Sequence, residues 1–201
     1  VRNGLYESLQ KAEDDETIKG VVLTENGRAF IAGADISEFG GNVEGKSLNV
    51  VFQKLEFCKK PVVAAINGAA LGGGLEVALC CNYRIAVNSP KTKIGLPEVT
   101  LGILPTAGGL IRTTRLIGLE AAIPFLLDGK QVTPNLAKEL GVIDDMADNI
   151  KELFSKAKKY IAGGISSQIR VLEHSEVPLF ISNAKGSKIW DVDGNEYIDY
   201  I

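Results

Sequence analysis

Histidine is almost missing: His174 is the single one in 201 residues. A Ser-His-Asp hydrolase needs an imidazole base, and a zinc centre needs clustered Cys and His, so neither class fits this chain and no metal is expected. Cysteine is scarce as well. Cys58, Cys80 and Cys81 are odd in number and sit in apolar text, which favours reduced core thiols in a cytoplasmic setting over a disulfide scaffold. None has a histidine beside it to make a catalytic thiol. Long apolar runs are lacking too. The longest charge-free stretch, 61–75, contains Asn67 and four glycines, too short and too broken to cross a bilayer. No basic segment leading into an apolar core opens the chain, so no signal peptide is read there, and no membrane is expected. Basic runs are absent, and 22 Lys and Arg against 25 Asp and Glu leave a net charge of −3, which gives no electrostatic basis for binding nucleic acid.

What is present is 45% apolar and 23% charged, enough to build one globular core with little to spare. Helical spacing of apolar residues is found over 5–12, 47–59, 110–117, 119–127, 134–140 and 150–161. Short buried strands are expected at 19–24, 62–66, 83–87, 93–95 and 142–143, and a Gly-rich turn at 26–28 precedes AFIAGAD at 29–35. Strands alternating with helices indicate an α/β architecture. No internal repeat or low-complexity tract is found. Composition changes at 162–164, which sets an expected boundary between a domain over 1–162 and a second unit over 163–201. In that unit Asp193-Gly194, flanked by IWDV and YIDY, is a strong hairpin signal.

The stretch GAALGGGLEVAL at 68–79 carries a glycine triplet, but it is neither of the familiar phosphate-binding loops. Leu75-Glu76 stands where a P-loop needs Lys-Ser/Thr. A dinucleotide fingerprint lacks its third glycine, with Ala78 in that place, and lacks a suitable acid about 20 residues on. Two isolated carboxylates remain. Glu76 is the only charge from 69 to 83, and Glu98 the only charge from 94 to 105. Buried alone, an ionised carboxylate is costly, so each must be paired or be pushed toward its neutral form. A carboxyl held near neutrality can give up and regain a proton, as general acid–base catalysis requires. Each acid is also readable as a helix-start residue that is capping or partnered. The triplet 72–74 exposes main-chain N–H groups at a helix start, the arrangement that stabilises an oxyanion, and the loop Ala32-Gly33-Ala34-Asp35 offers a second donor or an ordinary turn with Asp35 as cap.

Three segments, GRAFIAGADISEF at 27–39, KPVVAAINGAALGGGLEVAL at 60–79, and YRIA with IGLPEVTLGILP and AGGLIRTTRLIG over 83–118, resemble the enoyl-CoA hydratase/isomerase, or crotonase, family. The likeness runs from about residue 4 to 161 and is strongest to the hydratase/isomerase part of multifunctional β-oxidation enzymes. It implies a crotonase-like α/β fold, a ββα superhelix, here N-terminally truncated because the family's opening strands have no counterpart after Val1. It implies a thioester carbonyl bound by the N–H groups of Ala34 and Gly73. Glu76 would activate water for attack at C3, and Glu98 would exchange the proton at C2. Ala32, Gly33, Asp35, Ile36, Gly72, Pro97 and Gly102 would line the acyl-CoA cleft. The implied reaction is hydration of a trans-2-enoyl-CoA, with coenzyme A entering as part of the substrate and no metal or redox cofactor. Alternatives are Δ3–Δ2 isomerisation or dehydration, and an idle acyl-CoA-binding or oligomer-forming module. A homo-oligomer, trimer or hexamer, is implied by the same likeness.

The remaining text, GGISSQIR at 163–170 and PLFISNAKGSKIWDVDGNEYIDY at 178–200, resembles the N-terminal segment of class III aminotransferases of the glutamate-1-semialdehyde aminomutase type. The Schiff-base lysine of that family lies further downstream than Ile201, so pyridoxal phosphate is not expected to bind here.

Overall fold

The computed structural model describes residues 1–25, 29–33 and 45–161, together with the backbone of three strands within 181–198. Helix α1 (Arg2–Asp14) leads into β1 (Val21–Leu23), β2 (Ala29–Ile31) and α2 (Leu48–Glu56), where Ser47 Oγ caps the helix by accepting from Val50 N–H. Next come β3 (Val62–Ile66), β4 (Ala69–Leu71) and α3 (Gly73–Cys80). They are followed by β5 (Tyr83–Val87), β6 (Ile94–Gly95), a 3-10 helix (Pro97–Leu101) and α4 (Gly109–Leu127). Helix α5 (Pro134–Glu139), β7 (Asp145–Ala147) and α6 (Ile150–Tyr160) complete the unit.

The strands divide between two sheets that the chain visits in alternation. One has the order β1-β3-β5-β7 and the other β2-β4-β6, and every pairing in both is parallel. Each passage thus lays down one strand in each sheet and then a helix, three times over. The repeat is one of backbone geometry that the sequence does not echo, since each turn fills its core with different side chains.

Strand β3 sits at the centre and is buried throughout. Its alternation separates two cores, as the period of two in a strand requires. Val62, Ala64 and Ile66 join Phe30, Phe52, Leu55 and Leu75, whereas Val63 and Ala65 join Ile85, Leu153, Ala157 and Ile161 beneath α6. That is the strand buried on both faces expected of its β-branched text. All three cysteines are free thiols, and Cys80 and Cys81 are buried.

One expectation changes. The strand expected at 142–143 is instead the capping turn of α5. Val142 and Ile143 N–H both fold back on the Ala137 carbonyl, at 2.8 and 3.3 Å, after Gly141 turns the chain with φ +83°. The ladder partner of β5 is Asp145–Ala147, whose Asp145 is a poor strand former by propensity and is held by Lys138 at 2.8 Å. The two helices expected either side of Gly118 are both present within α4, separated at that glycine by φ +80° and ψ 162°.

Three further strands, β8 (Ile181–Lys185), β9 (Lys188–Asp191) and β10 (Glu196–Ile198), pair antiparallel in the order β10-β9-β8. The β9–β10 pairing matches the hairpin read from the sequence, while its turn residues 193–194 lie outside the described residues. Among the described residues no helix is long and apolar enough to cross a membrane.

The fold rests on a backbone-to-backbone approach at Gly74. A Cβ there would lie 1.9 Å from the Ile31 carbonyl oxygen of β2. Gly74→Ala is therefore expected to cost about 3 kcal/mol, at the upper end of overpacking effects. Gly4, exposed within α1 with nothing within 4 Å of its would-be Cβ, supplies the contrast. Gly4→Ala should gain about 0.5–1 kcal/mol. Urea unfolding of both variants checks the pair.

Candidate active site

Each passage of the chain leaves the second sheet at a strand's carboxyl end, and a candidate group follows directly. Ala32-Gly33 follow β2, Gly72-Gly73 follow β4, and Pro97-Glu98 follow β6. In parallel sheets such ends are where ligands are met. The ends are also tied together. Gly72 N–H donates to the Gly95 carbonyl at 2.9 Å, and a Cβ on Gly33 would lie 3.7 Å from the Leu71 carbonyl.

The glycine triplet divides its work. Gly72 takes φ +53° and ψ −126°, a conformation only glycine adopts without strain, and so turns the strand into α3. Gly73 opens the helix, where an N–H has no intrahelical acceptor, and it donates to no described residue. Gly74 lets the helix press onto β2.

Glu76 follows one turn later and is only 4% exposed. It does not cap its own helix. Its Oε1 accepts a 2.7 Å hydrogen bond from Gly109 N–H at the start of α4, so the partnered-acid reading holds with another helix as the partner. Burial pushes its pKa above 4.5, and hydrogen bonds from the Gly109 and Ala107 N–H groups, with the charge of Arg112, pull against that rise. Gly109 is required for the contact, because a Cβ there would stand 2.8 Å from the same oxygen.

Glu98 sits in the first turn of the 3-10 helix, with its carboxylate against the glycine turn. A Cβ on Gly72 would lie 3.0 Å from Glu98 Oε1. Its Oε2 is buried without a hydrogen-bond partner among the described residues. Burial raises its pKa first, and the negative charge of Glu76 raises it further. Two half-satisfied carboxyls that influence one another, around a turn with a free N–H, form a setting for proton transfer.

Of the residues expected from the sequence, Glu76, Glu98, Gly72, Gly73 and Gly33 are brought into one neighbourhood, with Ala32 exposed beside Gly33 and Pro97 half-buried beside Glu98. Gly102 has nothing within 4 Å of its would-be Cβ. It ends the 3-10 helix in the left-handed conformation, its N–H donating toward the Glu98 and Val99 carbonyls. Ala34, Asp35 and Ile36 lie outside the described residues. Sequence reasoning overlooked Gly108, Gly109, Arg112 and Glu56 as parts of the site. A second glycine pair ahead of a helix was the available signal. Among the described residues no group of three His, Cys, Asp or Glu could hold a metal ion.

The twin-sheet winding fold is shared with solved hydratases. An enoyl-CoA hydratase from Bacillus anthracis superposes with a TM-score of 0.71 at 36% identity, covering 79% of this chain and 63% of that one. A carnitinyl-CoA hydratase from Mycobacterium avium gives 0.70 at 30% identity, over 80% of this chain and 64% of that one. Residues 1–174 match the enoyl-CoA hydratase/isomerase family, and the chain belongs to it. Among curated relatives, a peroxisomal bifunctional enzyme of Danio rerio is 47% identical over 149 residues, 74% of this chain and 20% of that protein. A fatty acid oxidation complex subunit alpha of Shewanella frigidimarina is 41% identical over 179 residues, 82% of this chain and 25% of that protein. The chain thus spans a fifth to a quarter of those relatives and under two thirds of the solved structures.

The raised pKa of Glu98 carries a stability consequence of definite sign. Native protein holds that proton more tightly than the unfolded chain, so native stability declines as pH climbs from 4.5 through the folded-state value. Glu98→Gln removes the penalty. It is expected to unfold at higher urea concentration than wild type at pH 7, with the gap closing as pH falls below 4.5; parallel urea titrations measure it.

Proposed function

We propose that this domain adds water across the 2,3 double bond of a trans-2-enoyl-CoA through a thioester enolate. The observation that carries this reading is the pair of carboxyls around the Gly72-Gly73 turn, buried Glu76 fixed by a main-chain N–H and half-buried Glu98 with one buried oxygen that has no partner among the described residues. The thioester oxygen accepts from Gly73 N–H and from Ala34 N–H, each donor contributing about 3 kcal/mol as in other oxyanion holes. Glu76, ionised, takes a proton from water as the oxygen bonds to C3. The π electrons move onto the thioester oxygen, and protonated Glu98 then returns a proton to C2 as the enolate collapses. Burial pushes both carboxyls toward their neutral forms, Arg112 and main-chain N–H groups favour the ionised form of Glu76, and the charge of Glu76 favours the protonated form of Glu98. No cofactor enters beyond the coenzyme A of the substrate. The names of the relatives, which speak of fatty acid oxidation and of CoA hydratases, agree with such a substrate.

Loss of the conjugated enoyl-thioester absorbance tests the reading. Glu76→Gln and Glu98→Gln should each lower kcat by about 10²–10⁴-fold. Supplying 3-enoyl-CoA and looking for the 2-enoyl product identifies an isomerase instead, and binding without turnover identifies a non-catalytic module.

We also infer a homo-oligomer, a trimer or hexamer. Beyond Gly118, α4 is apolar on both sides: Ala122, Phe125 and Leu126 are buried, while Leu119, Ile123 and Leu127 form an exposed row. A helix apolar all round belongs in an interior, and a contiguous exposed stripe marks an interface. Leu119→Glu with Leu127→Glu should shift the protein to lower mass in sedimentation without altering its secondary structure. The free cysteines support a reducing, cytoplasmic compartment. Residues 163–201 are read as a separate aminotransferase-like unit that holds no pyridoxal phosphate, supported by strands that pair only with one another among the described residues.

A further inference from the structure

The residues just before α4 are built around two side chains. Gly109 makes room for Glu76, and Gly108 makes room for Arg112. At Gly108, with φ +102°, a Cβ would stand 2.0 Å from Arg112 Nη1. The guanidinium folds back over that glycine and Nη1 donates to the Ala107 carbonyl at 2.8 Å. Its Nη2 meets Glu56 Oε2 at 2.7 Å, at the last residue of α2, and its carbon lies 6.0 Å from the centre of the Phe52 ring. Nε is buried with no partner among the described residues, so this seat is not the one that best satisfies the arginine itself. What the seat does achieve is to lock the turn 107–109, whose N–H groups hold the Glu76 carboxylate.

We propose that Arg112, anchored by Glu56, is a positioning residue for Glu76: it clamps the Ala107 carbonyl and so keeps the Gly109 N–H on the carboxylate. The inference rests on the reading of Glu76 as the group that activates water. Neither Arg112 nor Glu56 touches the reacting atoms in that reading.

The charged and titratable described groups around Glu76 are Glu98 on the 3-10 helix, Arg112 on α4, Cys80 on α3 itself, and Glu56 on α2 acting through Arg112. Burial pushes the Cys80 thiol up to about 12, so it stays neutral near pH 7. Arg112 is thus the cation in the set, and it favours the ionised form of Glu76 that burial opposes. Without it, Glu76 should hold its proton to higher pH.

The test follows the Glu76 carboxyl stretch by infrared titration of the full chain, assigned by its disappearance in E76Q. Arg112→Gln keeps a polar side chain but is shorter, and it loses the charge and the two-ended grip. It should raise the midpoint by on the order of one pH unit and move the acidic limb of the kcat profile upward by the same amount. Glu56→Gln, at a half-exposed site, should lower kcat severalfold while KM stays put. An unmoved midpoint in R112Q overturns the proposal. Should R112Q not fold, an unchanged kcat in E56Q overturns it. Wild-type protein that does not hydrate enoyl-CoA refutes the hydratase reading, yet the midpoint in R112Q still decides whether Arg112 governs Glu76.

Discussion

The contact on which this structure depends is the seating of α3 directly on the backbone of β2, permitted because Gly74 has no side chain. A helix held that close to a parallel sheet has its N-terminal N–H groups fixed in direction by two strands at once. Gly72 bonds to Gly95 at the end of β6, and the start of α3 abuts Ile31 at the end of β2. An N–H on a flexible loop would have to be oriented anew for each ligand, at an entropic cost. Here the orientation is fixed on folding.

Burial and ionisation are opposed in the two acids, and the opposition is resolved differently in each. Glu76 is compensated by main-chain donors and a guanidinium, which leave it a defined orientation. Glu98 is compensated less. One oxygen has no donor among the described residues, and the charge that acts on it is that of another carboxylate. Two identical side chains are thereby given different surroundings, and surroundings are what let one residue type serve as base or as acid. The arrangement costs stability where the fold is otherwise well packed, a familiar feature of functional sites.

Much of this was legible in the sequence. The β-branched run at 62–66, the glycine triplet and the isolation of Glu76 and Glu98 in apolar text are local signals, and each fell where expected. The amphipathic spacing of 150–161 likewise marked α6, which lies over the second core with Leu153 and Ala157 inward. What escaped was set by contacts that residue type does not record. Val142-Ile143 has the composition of a strand but is claimed by the α5 terminus, because the Ala137 carbonyl lies within reach of both N–H groups. The Glu56–Arg112 pair joins residues 56 positions apart and left no periodic trace. The alternation between two sheets left none either, since a short parallel strand reads the same whichever sheet receives it.

The winding of the chain through two sheets has a consequence for how such a protein can change. Functional groups are dealt out in order along the polypeptide, one set per lap, while main-chain ladders join each lap to the next. Because those ladders are made by the main chain, a side chain exchanged after one strand end leaves the strand ends of the other laps in place. Chemistry can be revised in instalments, one side chain exchanged here and a wall reshaped there, while the glycine turn stays as it was. A scaffold laid out this way is suited to carrying many related reactions on a single plan.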